Sequence, residues 1–91
     1  MSKENKLVKL ISDETMKFEG VGDKAPSVKL SEEDDEYIIN LGILVNYGVN
    51  IPQRCYDIQT GLIRRMTESE GIAVKSVNIV IEGIFDKKGK K

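Results

Sequence analysis

Tyr37-Ile38-Ile39-Asn40-Leu41-Gly42-Ile43-Leu44-Val45-Asn46-Tyr47 is the stretch that decides the fold. Read at every second residue, Tyr37, Ile39, Leu41, Ile43, Val45 and Tyr47 are all aliphatic or aromatic, whereas Ile38, Asn40, Gly42, Leu44 and Asn46 are mixed. A period of two over this length specifies a long β-strand, because successive side chains of a strand point to opposite faces. The uniform set must face a core, and the mixed set faces solvent or a partner. Gly42, in mid-strand, marks a bulge or a close approach of another group to the backbone.

Upstream, the run Glu32, Glu33, Asp34, Asp35 and Glu36 reads as a solvated turn, and Val28 and Leu30 before it suggest a short strand folding back on the long one. Downstream, Gly48 breaks the strand. Asn50 followed three residues later by Gln53 has the form of a capping box, and Pro52 suits a first helical turn, where its missing N–H is not needed. A helix beginning at Ile51 puts Ile51, Cys55, Ile58, Leu62 and Met66 on one stripe. Tyr56 and Ile63 fall on one edge of that apolar sector. Gly71 is a left-handed stop, after which Ile72 packs back on the last turn. Val77, Ile79 and Ile81 then alternate with Ser76, Asn78, Val80 and Glu82, a second strand ending near Gly83. Strand, helix and strand in this order make a crossover, so the two strands run parallel, adjacent or with one strand between them.

The N-terminal third gives weaker signals. Leu7, Val8, Leu10 and Ile11 suggest a short strand, residues 20–27 a loop, and Met16 and Phe18 a segment too short for a helix. The expected architecture is α+β, a small three- to four-stranded mixed sheet with one main helix packed on one face. It forms a single domain over residues 6–85, between a flexible tail (1–5) and a disordered lysine-rich tail (86–91).

The composition excludes more than it suggests. The chain has 91 residues, no histidine and one cysteine. That removes the commonest general base, the commonest transition-metal ligand, zinc centres and Cys–His nucleophile pairs. No catalytic residue, cofactor-binding residue or metal ligand is assigned, no cofactor is expected, and the chain reads as a non-enzyme. Cys55, within the helix stripe, is expected to be a buried, inert thiol. A net charge of −1 and the lack of aromatic stacking platforms argue against a nucleic-acid surface. The apolar runs fall far short of the roughly 20 residues that cross a bilayer. The opening Met-Ser-Lys-Glu-Asn-Lys lacks a signal peptide's apolar core, which points to a cytoplasmic protein.

Val45-Asn46-Tyr47-Gly48-Val49-Asn50-Ile51-Pro52 and, beyond the helix, Val77-Asn78-Ile79-Val80-Ile81-Glu82-Gly83-Ile84 resemble the two signature stretches of the bacterial alkaline-shock protein family, in the same order and at matching separation. The resemblance implies a role in alkaline or cell-envelope stress in Gram-positive bacteria, with some members held at the membrane by an anchor protein, and it assigns no catalytic residues. Ile11-Ser12-Asp13-Glu14 and Glu19-Gly20-Val21 look like the two ends of a family segment that encloses an additional helix. Only Thr15 to Phe18 lie between them here, so most of that helix is expected to be absent and the surface beneath it exposed.

The resulting functional expectation is an interaction or scaffold protein acting through self-association or an anchor partner. The alternative is a small module binding RNA or an anionic surface through Arg64, Arg65 and the terminal lysines. The expected partner surface is the mixed sheet face, with Ile38, Asn40, Leu44, Asn46, Asn78, Val80 and Glu82. Any membrane contact should be indirect, since Lys87, Lys88, Lys90 and Lys91 each contribute about 1 kcal/mol near anionic lipid and no apolar anchor accompanies them. Purified protein should therefore stay in the supernatant when sedimented with anionic liposomes at physiological salt; salt-resistant co-sedimentation would contradict this.

Overall fold

The long strand, β2 (Glu36–Asn46), is the centre of a three-stranded sheet with order β1-β2-β3, as seen in a computed structural model that describes residues 3–22 and 24–85. β1 (Ser27–Glu33) pairs antiparallel with β2, and β3 (Val74–Phe85) pairs parallel with it on the other side. The expected crossover is thus made between directly adjacent strands. The strands of the hairpin run further into the acidic run than expected, which leaves only Asp34 and Asp35 as the loop. Both have positive φ, 53° and 67°. Two such residues form the tight turn whose twist matches that of the flanking strands, and Asp tolerates this conformation better than most. Beyond the start of β1, residues 20–22 continue the same side of β2: the Asn46 N–H donates to the Gly20 carbonyl at 2.7 Å and the Gly22 N–H to the Leu44 carbonyl at 3.2 Å.

The period-two reading of β2 is borne out. Tyr37, Ile39, Leu41, Ile43 and Val45 are all buried, and Val77 joins them from β3, with Ile79 and Ile81 half-buried against the same core. Tyr47 lies past the strand end and is exposed. The helix α2 (Ile51–Arg65) covers this face through Ile58 and Leu62, followed by a π-helical turn, Met66–Glu70, whose Met66 is also buried. Gly71 ends it at φ 67°. Asn50 caps the start, its Oδ1 accepting from the Gln53 N–H at 3.1 Å. The reciprocal half of the capping box is not made, because the Gln53 side chain donates instead to Asp57 at 2.9 Å.

The N-terminal third differs from expectation. Residues 3–16 form a helix, α1 (Lys3–Met16), so the described residues contain two α-helices, and helix stands where a strand was expected around Leu7 to Ile11. Lys3 to Asn5, expected in a tail, form its first turn, while the lysine-rich tail (86–91) lies outside the described residues. Leu7, Ile11 and Thr15, at spacings of four, make the buried face of α1. The pattern is masked in sequence because the third position is polar. Thr15 is nonetheless completely buried, its hydroxyl donating to the Ile11 carbonyl at 2.7 Å.

α1 is also tied to α2. Arg65 Nη1 donates to Glu14 Oε2 at 2.7 Å, and the Phe18 ring lies against Gly61, where a Cβ would fall 2.8 Å from the ring. The gap in cover expected from a missing helix is therefore closed by α1, which shares the core with α2 on one side of the sheet.

Ile11→Ala removes side-chain volume from this shared core and should cost about 2–5 kcal/mol. The measurement is urea denaturation followed by circular dichroism. An unchanged midpoint would show that α1 does not belong to the cooperative core.

Candidate functional site

The sheet face opposite the helices is built by the second set of β2 residues and by their neighbours in register. Asn40 stands between Lys29 of β1 and Asn78 of β3, Gly42 between Ser27 and Val80, and Ile38 between Ser31 and Ser76. The residues expected to bind a partner, Ile38, Asn40, Leu44, Asn46, Asn78, Val80 and Glu82, all lie on β2 or β3, and register and alternation bring them to this one face. Asn78 Nδ2 donates to Asn40 Oδ1 at 3.1 Å, so two amides that read separately in the sequence act as one cross-strand pair. Val80 is 62% exposed, whereas Ile38, Leu44 and Asn46 are half-buried.

Gly42 has a definite task here. A Cβ built on it would collide with the Glu82 carboxylate, so the absence of a side chain lets Glu82 lie across β2. The expected close approach is thus made by a side chain from the neighbouring strand. The bulge falls in β3: the pairing steps from Ile43 with Ile81 to Leu44 with Gly83, leaving Glu82 as the extra residue. A Cβ on Gly83 would fall 3.1 Å from Leu44 Cδ2, which places both Glu82 and Gly83 on the open side. A shallow depression of about 180 Å³ results, with Gly42 at its floor and Lys29, Asn40, Val80 and Glu82 around it.

Sequence reading missed Ser27 and Lys29 as contributors to this surface. The signal was present, since Ser27 and Lys29 alternate with Val28 and Leu30, but two apolar residues are too few to fix a strand's register. It also missed that Ile84, which the bulge sets beside the core residue Val45 on the helix side, is nonetheless 58% exposed at the end of the sheet. A one-residue bulge shifts the alternation, and no count of period two foresees it.

A second concavity, about 330 Å³, lies where β2 ends and α2 begins, between Glu19, Asn46, Tyr47, Asn50 and Arg54. Its residues carry structural tasks. Gly48 turns at φ 92°, Asn50 caps α2, and Arg54 pairs with Asp57 at 2.9 Å. The helix end is poorly suited to an anion, because Pro52 has no N–H, Asn50 already takes that of Gln53, and Glu19 adds negative charge. Among the described residues no three Cys, Asp or Glu side chains converge to hold a metal ion. No helix among them is long and apolar enough to cross a membrane.

A profile of the Asp23 family, cell envelope-related function, matches residues 5–85. The chain belongs to the Asp23 family. It is also 32% identical over 57 residues to the uncharacterized protein YloU of Bacillus subtilis (strain 168), a match covering 63% of this chain and 48% of that protein. The chain spans about half the length of this curated relative. No solved structure matches significantly. The stretches at Val45–Pro52 and Val77–Ile84 lie inside the matched region and are now seen to be the end of β2 with the cap of α2, and the bulged half of β3.

Cys55 differs from expectation in being half-buried rather than buried. β2 stops at Asn46, so the first turns of α2 sit at the end of the sheet, where Ile51 and Cys55 are only partly covered. Even this cover pushes the thiol above its ordinary pKa, because burial disfavours the thiolate. Only the thiolate attacks, so alkylation at pH 7 should be slower in the folded protein than in the same chain in denaturant, and should accelerate through the alkaline range. Equal folded and unfolded rates at neutral pH would show that α2 does not shield Cys55.

Proposed function

We propose that the chain works without catalysis, as an interaction or scaffold module that docks another protein on its open sheet face in cell-envelope homeostasis. The observation that carries this reading is the asymmetry of the sheet. One face is sealed by α1 and α2, whereas the other keeps Val80 exposed and Ile38 and Leu44 half-buried around the Asn40–Asn78 pair. Apolar side chains set among satisfied amides suit a protein surface presenting one or two apolar groups and complementary hydrogen-bonding groups. The family's cell-envelope-related description supplies the setting, and an anchor protein at the membrane is the partner this reading favours. A docked chain of this kind stays on the inner side of the membrane without entering it. An RNA-binding role has less support, since Lys29 and Lys75 on the open face are accompanied by Glu33, Glu36 and Glu82, and Lys75 is paired with Glu33 at 3.0 Å.

Leu44→Asp or Val80→Glu should weaken capture of the partner at least about tenfold, equivalent to about 1.4 kcal/mol. Circular dichroism and cooperative melting should persist, because neither side chain belongs to the helix-covered core. Capture equal to that of the wild type by both variants would sink the proposal, and loss of folding would show the face to be part of the core.

A further inference from the structure

The two edges of the sheet are unlike. β1 spans 7 residues after Pro26 and carries Lys29, Glu32 and Glu33, the shortness and charge by which edge strands resist pairing with other chains. β3 spans 12 residues, and no strand lies beyond it in the sheet among the described residues. From Ser76 to Ile81 it has neither charge, glycine nor proline. An edge of this kind presents a row of backbone donors and acceptors that another strand satisfies. The Gln59 amide donates to the Val77 carbonyl at 2.9 Å, but a carbonyl has a second lone pair, so this contact does not close the edge.

That same contact shows what stands above the edge. Tyr56, Gln59 and Ile63 follow one another at spacings of three and four, so they line one flank of α2, and Gln59 places this flank over β3. Tyr56 is 61% exposed and Ile63 37% exposed. An apolar helix flank and an open strand edge thus lie side by side.

We propose that the outer edge of β3 is a self-association site, at which it pairs antiparallel with β3 of a second copy to make one continuous six-stranded sheet. Charge selects both the occupant and its direction. Lys75 stands at one end of the uncharged stretch and Glu82 at the other. Antiparallel pairing centred on Ile79 sets each Lys75 opposite the partner's Gly83, one residue along from its Glu82, whereas in-register parallel pairing sets Lys75 against Lys75 and Glu82 against Glu82. The same register opposes Val77 to the partner's Ile81 and Asn78 to the partner's Val80, so helix-covered residues meet helix-covered residues and open-face residues meet their own kind. A two-fold axis makes the contact self-complementary and brings the Tyr56–Ile63 flanks of the two helices toward each other. Lys75 must leave Glu33 in the exchange, a small loss because both side chains of that pair are largely exposed. One short strand edge and two side chains per copy make a small interface, which implies a reversible, concentration-dependent dimer.

This site borders the docking face proposed above and shares Glu82 with it, but the Tyr56–Ile63 flank stands on the helix-covered side, so Tyr56→Glu tells the two apart. Sedimentation velocity of the whole chain from micromolar to millimolar concentration should show dimerisation. Lys75→Glu and Glu82→Lys should each raise the dimer dissociation constant about tenfold or more, and the two together should restore it. Because Glu82 rests on Gly42, Tyr56→Glu, on the exposed flank of α2, serves as an independent variant and should weaken the dimer without altering circular dichroism. A wild-type chain that stays monomeric to millimolar concentration overturns the proposal. So does a dimer that ignores the charge reversals and Tyr56→Glu but is lost in Leu44→Asp, which would assign self-association to the open face.

Discussion

The burial of one face of β2 is the constraint on which the rest of the domain depends. Its five core-facing residues are the floor on which both helices rest, and Ile39 and Ile43 are 0% and 1% exposed. A domain of this length has little core to spare, so most of the large apolar side chains outside β2 are recruited to this floor. The consequences reach polar residues too. Thr15 enters the core because α1 must present an unbroken face, and Glu14 takes the charge of Arg65 because the helices that share the floor are drawn against each other.

The opposite face of β2 is shaped by what the first face excludes. No helix among the described residues covers it, and its side chains keep a balance of apolar groups and amides that an exposed sheet surface tolerates. Glu82 crossing Gly42 belongs to the same economy of space. A larger residue at position 42 would stand between β1 and β3 and fill the depression on which the open face's shape depends.

Much of this was legible in the sequence, and the reason is periodicity. β2, α2 and the central part of β3 each carry an apolar period over enough residues to fix element, face and direction, and the seven residues of the candidate surface followed from that alone. α1 was not legible because one of its three core positions is a threonine whose burial depends on a bond to its own helix. The extent of β3 was hidden for another reason. Its two register shifts, between Tyr37 and Ile38 and between Ile43 and Leu44 on the β2 side, each change the phase of the alternation, so the strand reads as ending near Gly83 when it runs to Phe85. Cys55 shares a perfect stripe with Ile58 and Leu62, but a stripe says nothing of where the sheet beneath it stops.

The Asp34–Asp35 turn gives the two sides of β2 different kinetic characters. Closing the β1–β2 hairpin fixes only two loop residues, and it can form while the rest of the chain is still disordered. The β2–β3 side is closed only when the chain between Asn46 and Val74 has been ordered into α2 and its π-helical turn, so its contacts are separated by a long stretch of sequence. A ribosome-bound chain that has emerged only through β2 has only its local half available to pair, and a two-stranded hairpin alone is marginally stable. It lacks the strand that completes the sheet, and until α2 and β3 follow, the parallel side of β2 is an uncovered edge with an apolar face beside it.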